Sequence, residues 1–265
     1  KPEGVMGKRE DGKKIIYYKD ELNDEFSEAV INAKTIDEDY DYVGGFGRSL
    51  GRFFLYKCFA RPFAFIYLKL AFGHKIVGKR KLKAVKKGGY FIYANHTNPV
   101  PDAFIPSMVA FPKSVAVIVH PANVSMPVLG KITPCLGALP LPDTIGAAKN
   151  FSKAISHFYK KNFAIMIYPE AHIWPYYTKI RPFNEKSFGY PVSENAPVFC
   201  FTNTYQKRRF FKNPRMVTYI NGPFYPKEEG TLRDKKLTLR NDVYNAMCAE
   251  TVHNEVEKIT YIKGE

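Results

Sequence analysis

The chain has 265 residues, 45% apolar, 15% aromatic and 25% charged, with 40 Lys or Arg against 25 Asp or Glu and a net charge of +15. That composition excludes a disordered or collagen-like chain and is enough for one sizeable core, alone or with an appendage. The basic balance calls for an anionic partner: nucleic acid, an anionic membrane or a phosphorylated substrate.

Residues 1–45 are mixed and acidic, with Tyr17-Tyr18 and a helical pattern through Glu21–Ala33. They carry no recognisable chemistry and read as a lid or peripheral arm. Phe53–Gly73 is rich in Phe, Tyr and Leu but is interrupted by Lys57, Arg61 and Lys69 and broken by Pro62. It therefore falls short of the ~18 uninterrupted apolar residues of a membrane span. It predicts one or two short helices whose aromatics suit the acyl boundary and whose bases suit anionic headgroups, or else an ordinary helix packed on a core. Ile76–Val85 contains Lys79-Arg80-Lys81-Leu82-Lys83 and predicts an edge strand.

Four continuous apolar runs follow: Tyr90–Ala94, Val115–Val119, Ala164–Tyr168 and Val198–Phe201. Runs without alternation predict strands covered on both faces. Helical stretches separate them, at Ala103–Ala110 and Thr144–Lys160. Met216–Ile220 predicts a further strand, Asn221-Gly222-Pro223 a turn, and Asp234 to about Val256 a closing amphipathic helix. The fold class expected is α/β, a mostly parallel sheet covered by helices on both faces, with an N-terminal aromatic-basic helical segment. The expected division is an arm at 1–47, membrane-associating helices at 48–75 and an α/β domain at 76–265.

Polar residues stand where the strands end: Asn95-His96, His120 with Asn123, Glu170 with His172, and Thr202-Asn203. If the strands are parallel, these side chains share the carboxyl edge of the sheet, where open α/β sheets bind ligands. His96 and Asp102 supply the elements of general base catalysis, an imidazole that can take a proton near pH 7 and a carboxylate that can orient it. Pro99 and Pro101 predict a turn between them, with Asp102 as a helix N-cap. On these residues alone, an Asp102 that only caps and a His96 that only packs are an equal reading. Charge distribution bears on that choice. Residues 51–169 hold 17 bases and two acids, Asp102 and Asp143 (net +15), whereas residues 1–50 hold 8 bases and 12 acids (net −4). Lys179 and Arg181, in a turn-rich basic stretch after Glu170, can hold a phosphate.

Four blocks in fixed order now resemble the 1-acylglycerol-3-phosphate O-acyltransferases and related glycerolipid acyltransferases. Asn95-His96 with Asp102 resembles N-H-x-x-x-x-D, with five residues between where the pattern has four. Gly137–Asp143 is similar to G-x-[IV]-[FP]-[IV]-x-R, Tyr168–Ile173 to F-P-E-G-T-R, and Ala196-Pro197-Val198 to V-P-[IV]. The arginine of the second block is Asp143 here, and the Thr-Arg of the third is His172-Ile173. The resemblance implies His96 and Asp102 as catalytic residues. It implies substrate contacts from Asn95, Thr97, Glu170 and His172, with Lys131, Lys179, Arg181 and Lys186 as candidates to replace the missing arginines. It implies direct transfer from acyl-CoA or acyl-carrier protein to the hydroxyl of a lysophospholipid acceptor. The oxyanion would be met by backbone N–H groups from the turn after His96. Neither cofactor nor metal is implied, and the place of action would be the cytoplasmic face of an anionic membrane.

Other readings are a non-catalytic lipid- or nucleotide-binding protein on the same fold, a nucleic-acid binder and a metal hydrolase. No helix-turn-helix, zinc-finger or RNA-binding signature accompanies the charge. His96, His120, His157 and His172 match no zinc spacing. No serine stands in G-x-S-x-G. Cys58, Cys135, Cys200 and Cys248 form no C-x-x-C, and the first three have apolar neighbours, which fits a reducing cytoplasm.

Overall fold

A computed structural model describes residues 6–8, 14–26 and 32–264. In chain order its elements are β1 (Met6–Lys8), β2 (Lys14–Tyr18), α1 (Phe46–Gly51), a π-helical stretch (Arg52–Ala60), α2 (Arg61–Phe72), β3 (Lys75–Val77) and β4 (Tyr90–Ala94). There follow α3 (Pro99–Ala110), β5 (Val115–Val119), α4 (Ala122–Ser125), α5 (Leu129–Ile132), β6 (Ala138–Pro140), α6 (Ile145–Lys160) and β7 (Ala164–Ile167). The chain closes with α7 (Gly189–Ser193), β8 (Val198–Gln206), β9 (Arg215–Phe224), α8 (Leu232–Glu250) and β10 (Ile259–Lys263).

Among the described residues, seven strands form the main sheet in the order β3-β9-β8-β4-β7-β5-β6. The five from β8 to β6 run parallel, and β9 turns back antiparallel to β8. β4 shows why the runs were apolar throughout. Phe91 and Tyr93 point into one core, while Tyr90, Ile92 and Ala94 point into the other, all at 0–1% exposure. Residues of α6 and α8 build the first core and residues of α2 and α3 the second. The fold is thus a mostly parallel α/β sheet with helices on both faces, as the residue patterns predict.

Several boundaries differ from the sequence reading. Ile76–Val85 is not one strand: β3 stops at Val77, Gly78 turns the chain at φ 81°, and Lys79–Ala84 winds into a 3-10 turn. A run of four like charges is better solvated in a turn than aligned along a ladder. The Asn221-Gly222-Pro223 turn is instead part of β9, opposite a register shift between Val198 and Cys200, with Gly222 at φ 109°. β8 continues to Gln206, and β6 was not foreseen. The closing helix starts at Leu232, where Thr231 and Asp234 form a reciprocal cap, and ends at Glu250. Of the expected Glu21–Ala33 helix, residues 21–26 are turn and irregular chain, and 27–31 lie outside the described residues.

The arm is docked. β2 pairs with β10. Trp174 Nε1 donates to the Asp24 carbonyl at 2.7 Å, with the rings of Tyr18, Phe26 and Tyr261 about it. Farther along, Ile36 is 1% exposed and Tyr42 packs on Phe151.

Candidate active site

The site begins where β4 ends. Asn95 is buried and clamps the neighbouring strand: its Nδ2 donates to the Asn203 carbonyl at 3.0 Å, and its Oδ1 accepts the Asn203 N–H at 2.8 Å. His96 follows, with its side chain 18% exposed and its ring stacked on Tyr168 at 4.3 Å. Thr97 is buried, and its Oγ1 lies 2.8 Å from the Tyr205 hydroxyl.

The expected turn across Pro99 and Pro101 is a helix start. Asn98 occupies the N-cap position and Pro99 the first helical position. Prolines are tolerated there because first-turn N–H groups have no intrahelical partner. Asp102 therefore lies one turn inside α3 rather than capping it. Its carboxylate reaches back, and Oδ2 accepts from the N–H groups of Thr97 and Asn98 at 2.8 Å each. The same oxygen lies 2.9 Å from His96 Nδ1. An ionised carboxylate can only accept, so Nδ1 carries the proton and Nε2 presents its lone pair outward. Pro106 cannot donate to the Asp102 carbonyl, and the Tyr168 hydroxyl does so instead at 2.5 Å.

A buried polar chain supports Asp102 from behind. Asn203 Nδ2 donates to Asp102 Oδ1 at 3.2 Å, Thr218 Oγ1 donates to Asn203 Oδ1 at 2.7 Å, and His74 Nε2 lies 2.8 Å from Thr218 Oγ1. Because the Thr218 hydroxyl has given its proton to Asn203, His74 is the donor to Thr218. Burial, helped by the Lys69 charge, pushes the His74 pKa down to about 4 and keeps the ring neutral.

Glu170 lies beneath the His96 loop, 3% exposed. Its Oε2 accepts the His96 N–H at 3.1 Å and its Oε1 accepts the Arg181 N–H at 3.1 Å. Burial pushes its pKa up to about 7, against the Arg181 charge 3.6 Å away and both N–H donors. Arg181 is fully buried. It donates to the carbonyls of Glu170, His172 and Glu21 and lies 4.9 Å over the Trp174 ring. Its guanidinium is thus committed to the protein interior rather than offered to a phosphate.

The other expected substrate contacts are spread out. His172 Nδ1 meets the arm's Glu25 at 3.4 Å. Lys131, Lys179 and Lys186 are exposed and take no part in the bonds around His96. His120 is exposed, and its Nδ1 accepts the Ala122 N–H at 3.2 Å. Asp143, at the second-block arginine position, binds the arm: its carboxylate accepts the Ile36 N–H at 2.7 Å. The turn after His96 has few donors left for an oxyanion. Thr97 and Asn98 N–H belong to Asp102, and Pro99 and Pro101 have none, which leaves Val100. Among the described residues, no group of three or more His, Cys, Asp or Glu can hold a metal.

Sequence reasoning passed over Tyr168, Tyr205, Thr218 and His74. Tyr168 stood inside a recognised block, but the others had no local signal. No family model matches the chain, and no curated protein sequence matches it. Among solved structures, the fold is similar to that of the 1-acyl-sn-glycerophosphate (LPA) acyltransferase PlsC from Thermotoga maritima, with a TM-score of 0.51 and 15% identity. The likeness covers 79% of this chain and 97% of that one.

Proposed function

We propose that this chain is an O-acyltransferase moving a fatty acyl group from acyl-CoA or acyl-carrier protein to the free hydroxyl of a lysophospholipid such as 1-acylglycerol 3-phosphate, in phospholipid synthesis. The observation that carries the reading is His96, held through Nδ1 by a buried carboxylate at the carboxyl edge of a parallel sheet, within an N-H-x5-D block. The fold likeness supports it. His96 Nε2 takes the proton of the acceptor hydroxyl as its oxygen attacks the thioester carbonyl. Asp102 stabilises the imidazolium. Collapse of the tetrahedral intermediate breaks the C–S bond, and the departing thiolate takes the proton back from His96. Val100 N–H, at the start of α3, is the donor available to the oxyanion.

The reaction would take place at an anionic membrane surface. No helix among the described residues is long and apolar enough to cross a membrane. α2 is nevertheless apolar on two faces. Ala64, Leu68 and Phe72 are buried, while Phe63, Ile66 and Leu70 are 55–70% exposed. An exposed apolar stripe at helical spacing suits peripheral seating in a headgroup layer.

Asp143 and Ile173 stand at the two arginine positions, and Asp143 engages the arm, so the hydroxyl of a lysophospholipid acceptor would be recognised without those two arginines. Thioester release from acyl-CoA and acyl-carrier-protein donors tests the proposal, with lysophosphatidate, glycerol 3-phosphate and a non-phosphorylated lysolipid as acceptors. Release by the wild type and its loss in His96→Ala are expected. Folded wild-type protein that releases no thiol with any donor overturns the reading in favour of a lipid-binding role.

A further inference from the structure

The hairpin joining β8 to β9 has the sequence Lys207-Arg208-Arg209-Phe210-Phe211-Lys212-Asn213-Pro214. Hairpin tips ordinarily carry Gly, Asn or Asp, whose backbone freedom or side-chain hydrogen bonds make the turn. Here Asn213-Pro214 supply that chemistry only at the returning end, and ahead of them four bases flank two phenylalanines, Phe210 and Phe211, which are 80% and 58% exposed. Two adjacent aromatic rings largely in water at a loop tip gain the fold no more than a guanidinium contact each, from Arg209 over Phe210 and Arg208 over Phe211. No acid lies within the tip. The Glu255 carboxylate accepts the Lys207 N–H at 3.0 Å, at the stem. A cavity of about 630 Å³ opens beside the tip, lined by Lys207, Arg208, Lys212 and Lys258 with Phe211 and Val256.

The tip is tied to two other parts of the molecule. Arg208 donates to the Ala71 and Leu70 carbonyls at 2.9 and 3.1 Å, capping the end of α2, and its guanidinium lies 3.5 Å over the Phe211 ring. One side chain therefore bridges the hairpin and the helix whose exposed stripe ends at Leu70. Two residues before the tip, the Tyr205 hydroxyl meets Thr97 in the His96 loop.

We propose that the Lys207–Lys212 hairpin tip is a second membrane-docking element, which sets Phe210 and Phe211 into the headgroup–acyl boundary of an anionic phospholipid bilayer while its bases engage lipid phosphates. Charge complementarity selects the anionic surface, and the exposed rings select a bilayer over a soluble anion. With α2 it forms one continuous lipid-facing surface beside the sheet edge that carries His96. The benefit to catalysis, a lysolipid hydroxyl presented without leaving the lipid phase, rests on the acyltransferase reading, whereas the docking does not.

The test is vesicle binding by the full chain, on phosphatidylcholine alone and on phosphatidylcholine with phosphatidylglycerol. The triple variant Lys207→Ser/Arg209→Ser/Lys212→Ser leaves Arg208 and its helix cap in place. It is expected to bind the anionic vesicles about 100-fold more weakly, at ~1 kcal/mol per base near such a surface. Phe210→Trp is expected to show a blue-shifted emission quenched by brominated lipid, above the constant signal of buried Trp174. Wild-type protein that ignores anionic vesicles, a triple variant that binds as the wild type does, or a Trp at 210 that is unquenched in bound protein each overturns the proposal. Thioester release on detergent-dispersed lysolipid separates the two readings. Its absence beside intact vesicle binding strikes the acyltransferase alone, and its persistence in a triple variant that no longer binds vesicles supports the docking role.

Discussion

One oxygen of Asp102 stands 2.9 Å from His96 Nδ1 and accepts the N–H groups of Thr97 and Asn98 as well. The carboxylate that aims the base therefore also shapes the loop that carries it. Asp102→Asn should cost about 10²- to 10⁴-fold in turnover, the range of general base catalysis. An amide nitrogen at the Oδ1 position would also face the Asn203 Nδ2 donor. A loss of about 1–3 kcal/mol in urea unfolding should accompany the kinetic defect. His96→Ala should lose turnover to the same degree but retain stability, because Nδ1 is one of several donors to Asp102. A stable Asp102→Asn variant with normal turnover would refute both roles.

Glu170 and Arg181 are both buried, so removing either leaves the other uncompensated. Arg181→Met should lower stability by about 3–5 kcal/mol, or about 10 °C in thermal midpoint. The double variant Glu170→Met/Arg181→Met should recover a large part of that loss in stability while staying impaired in turnover, since the His96 N–H loses its acceptor. A double variant no more stable than Arg181→Met would show that the pair is uncoupled.

His74 and Glu170 bias stability in opposite directions with pH. Folding holds His74 neutral by moving its pKa from 6.5 down to about 4. The unfolded chain then binds the extra proton, and stability falls as pH drops from 6.5 towards 4. Folding moves the Glu170 pKa from 4.5 up to about 7, so the native state holds the extra proton and stability falls as pH rises from 4.5 to 7. Over the shared window each slope approaches ~1.4 kcal/mol per pH unit, and the two offset each other. His74→Gln should uncover a decline in the urea midpoint with rising pH, and Glu170→Gln a decline with falling pH. Two variants with parallel profiles would contradict the assignment.

Trp174 is the single tryptophan of the chain and is fully buried under the arm. Removing residues 1–26 takes away Tyr18, Phe26 and the Asp24 carbonyl that accepts from Nε1. Tryptophan emission should shift to the red and the thermal midpoint should fall. Unchanged emission would mean that the arm does not dock on Trp174 in solution.

The legible parts of this fold were those that local chemistry dictates. Tyr90–Ala94 read as a buried strand because both its faces are covered, and Thr144–Lys160 read as a helix because Ala147, Ala154, Ile155 and Phe158 repeat at helical spacing. His96 and Asp102 were legible as a pair because two strongly typed side chains fell near a strand end. Their geometry was not. Proline suggested a break at Pro99–Pro101, whereas the first helical turn is where proline costs least. The His74–Thr218–Asn203 chain was invisible because its members meet across strands far apart in sequence. Lys179 and Arg181 looked alike as bases in one turn, yet one is exposed and the other fully buried, a difference set by Trp174 and Glu170 rather than by neighbours in sequence.

α2 ends at Gly73 in a left-handed turn, and the next residue is His74. From there four hydrogen bonds run through Thr218, Asn203 and Asp102 to His96. The helix with the exposed apolar stripe is thus geared to the base through its first residue beyond the cap. Position at the end of α2 and position of the imidazole are therefore set by the same short series of buried bonds, of 2.8, 2.7, 3.2 and 2.9 Å, with no solvent between them.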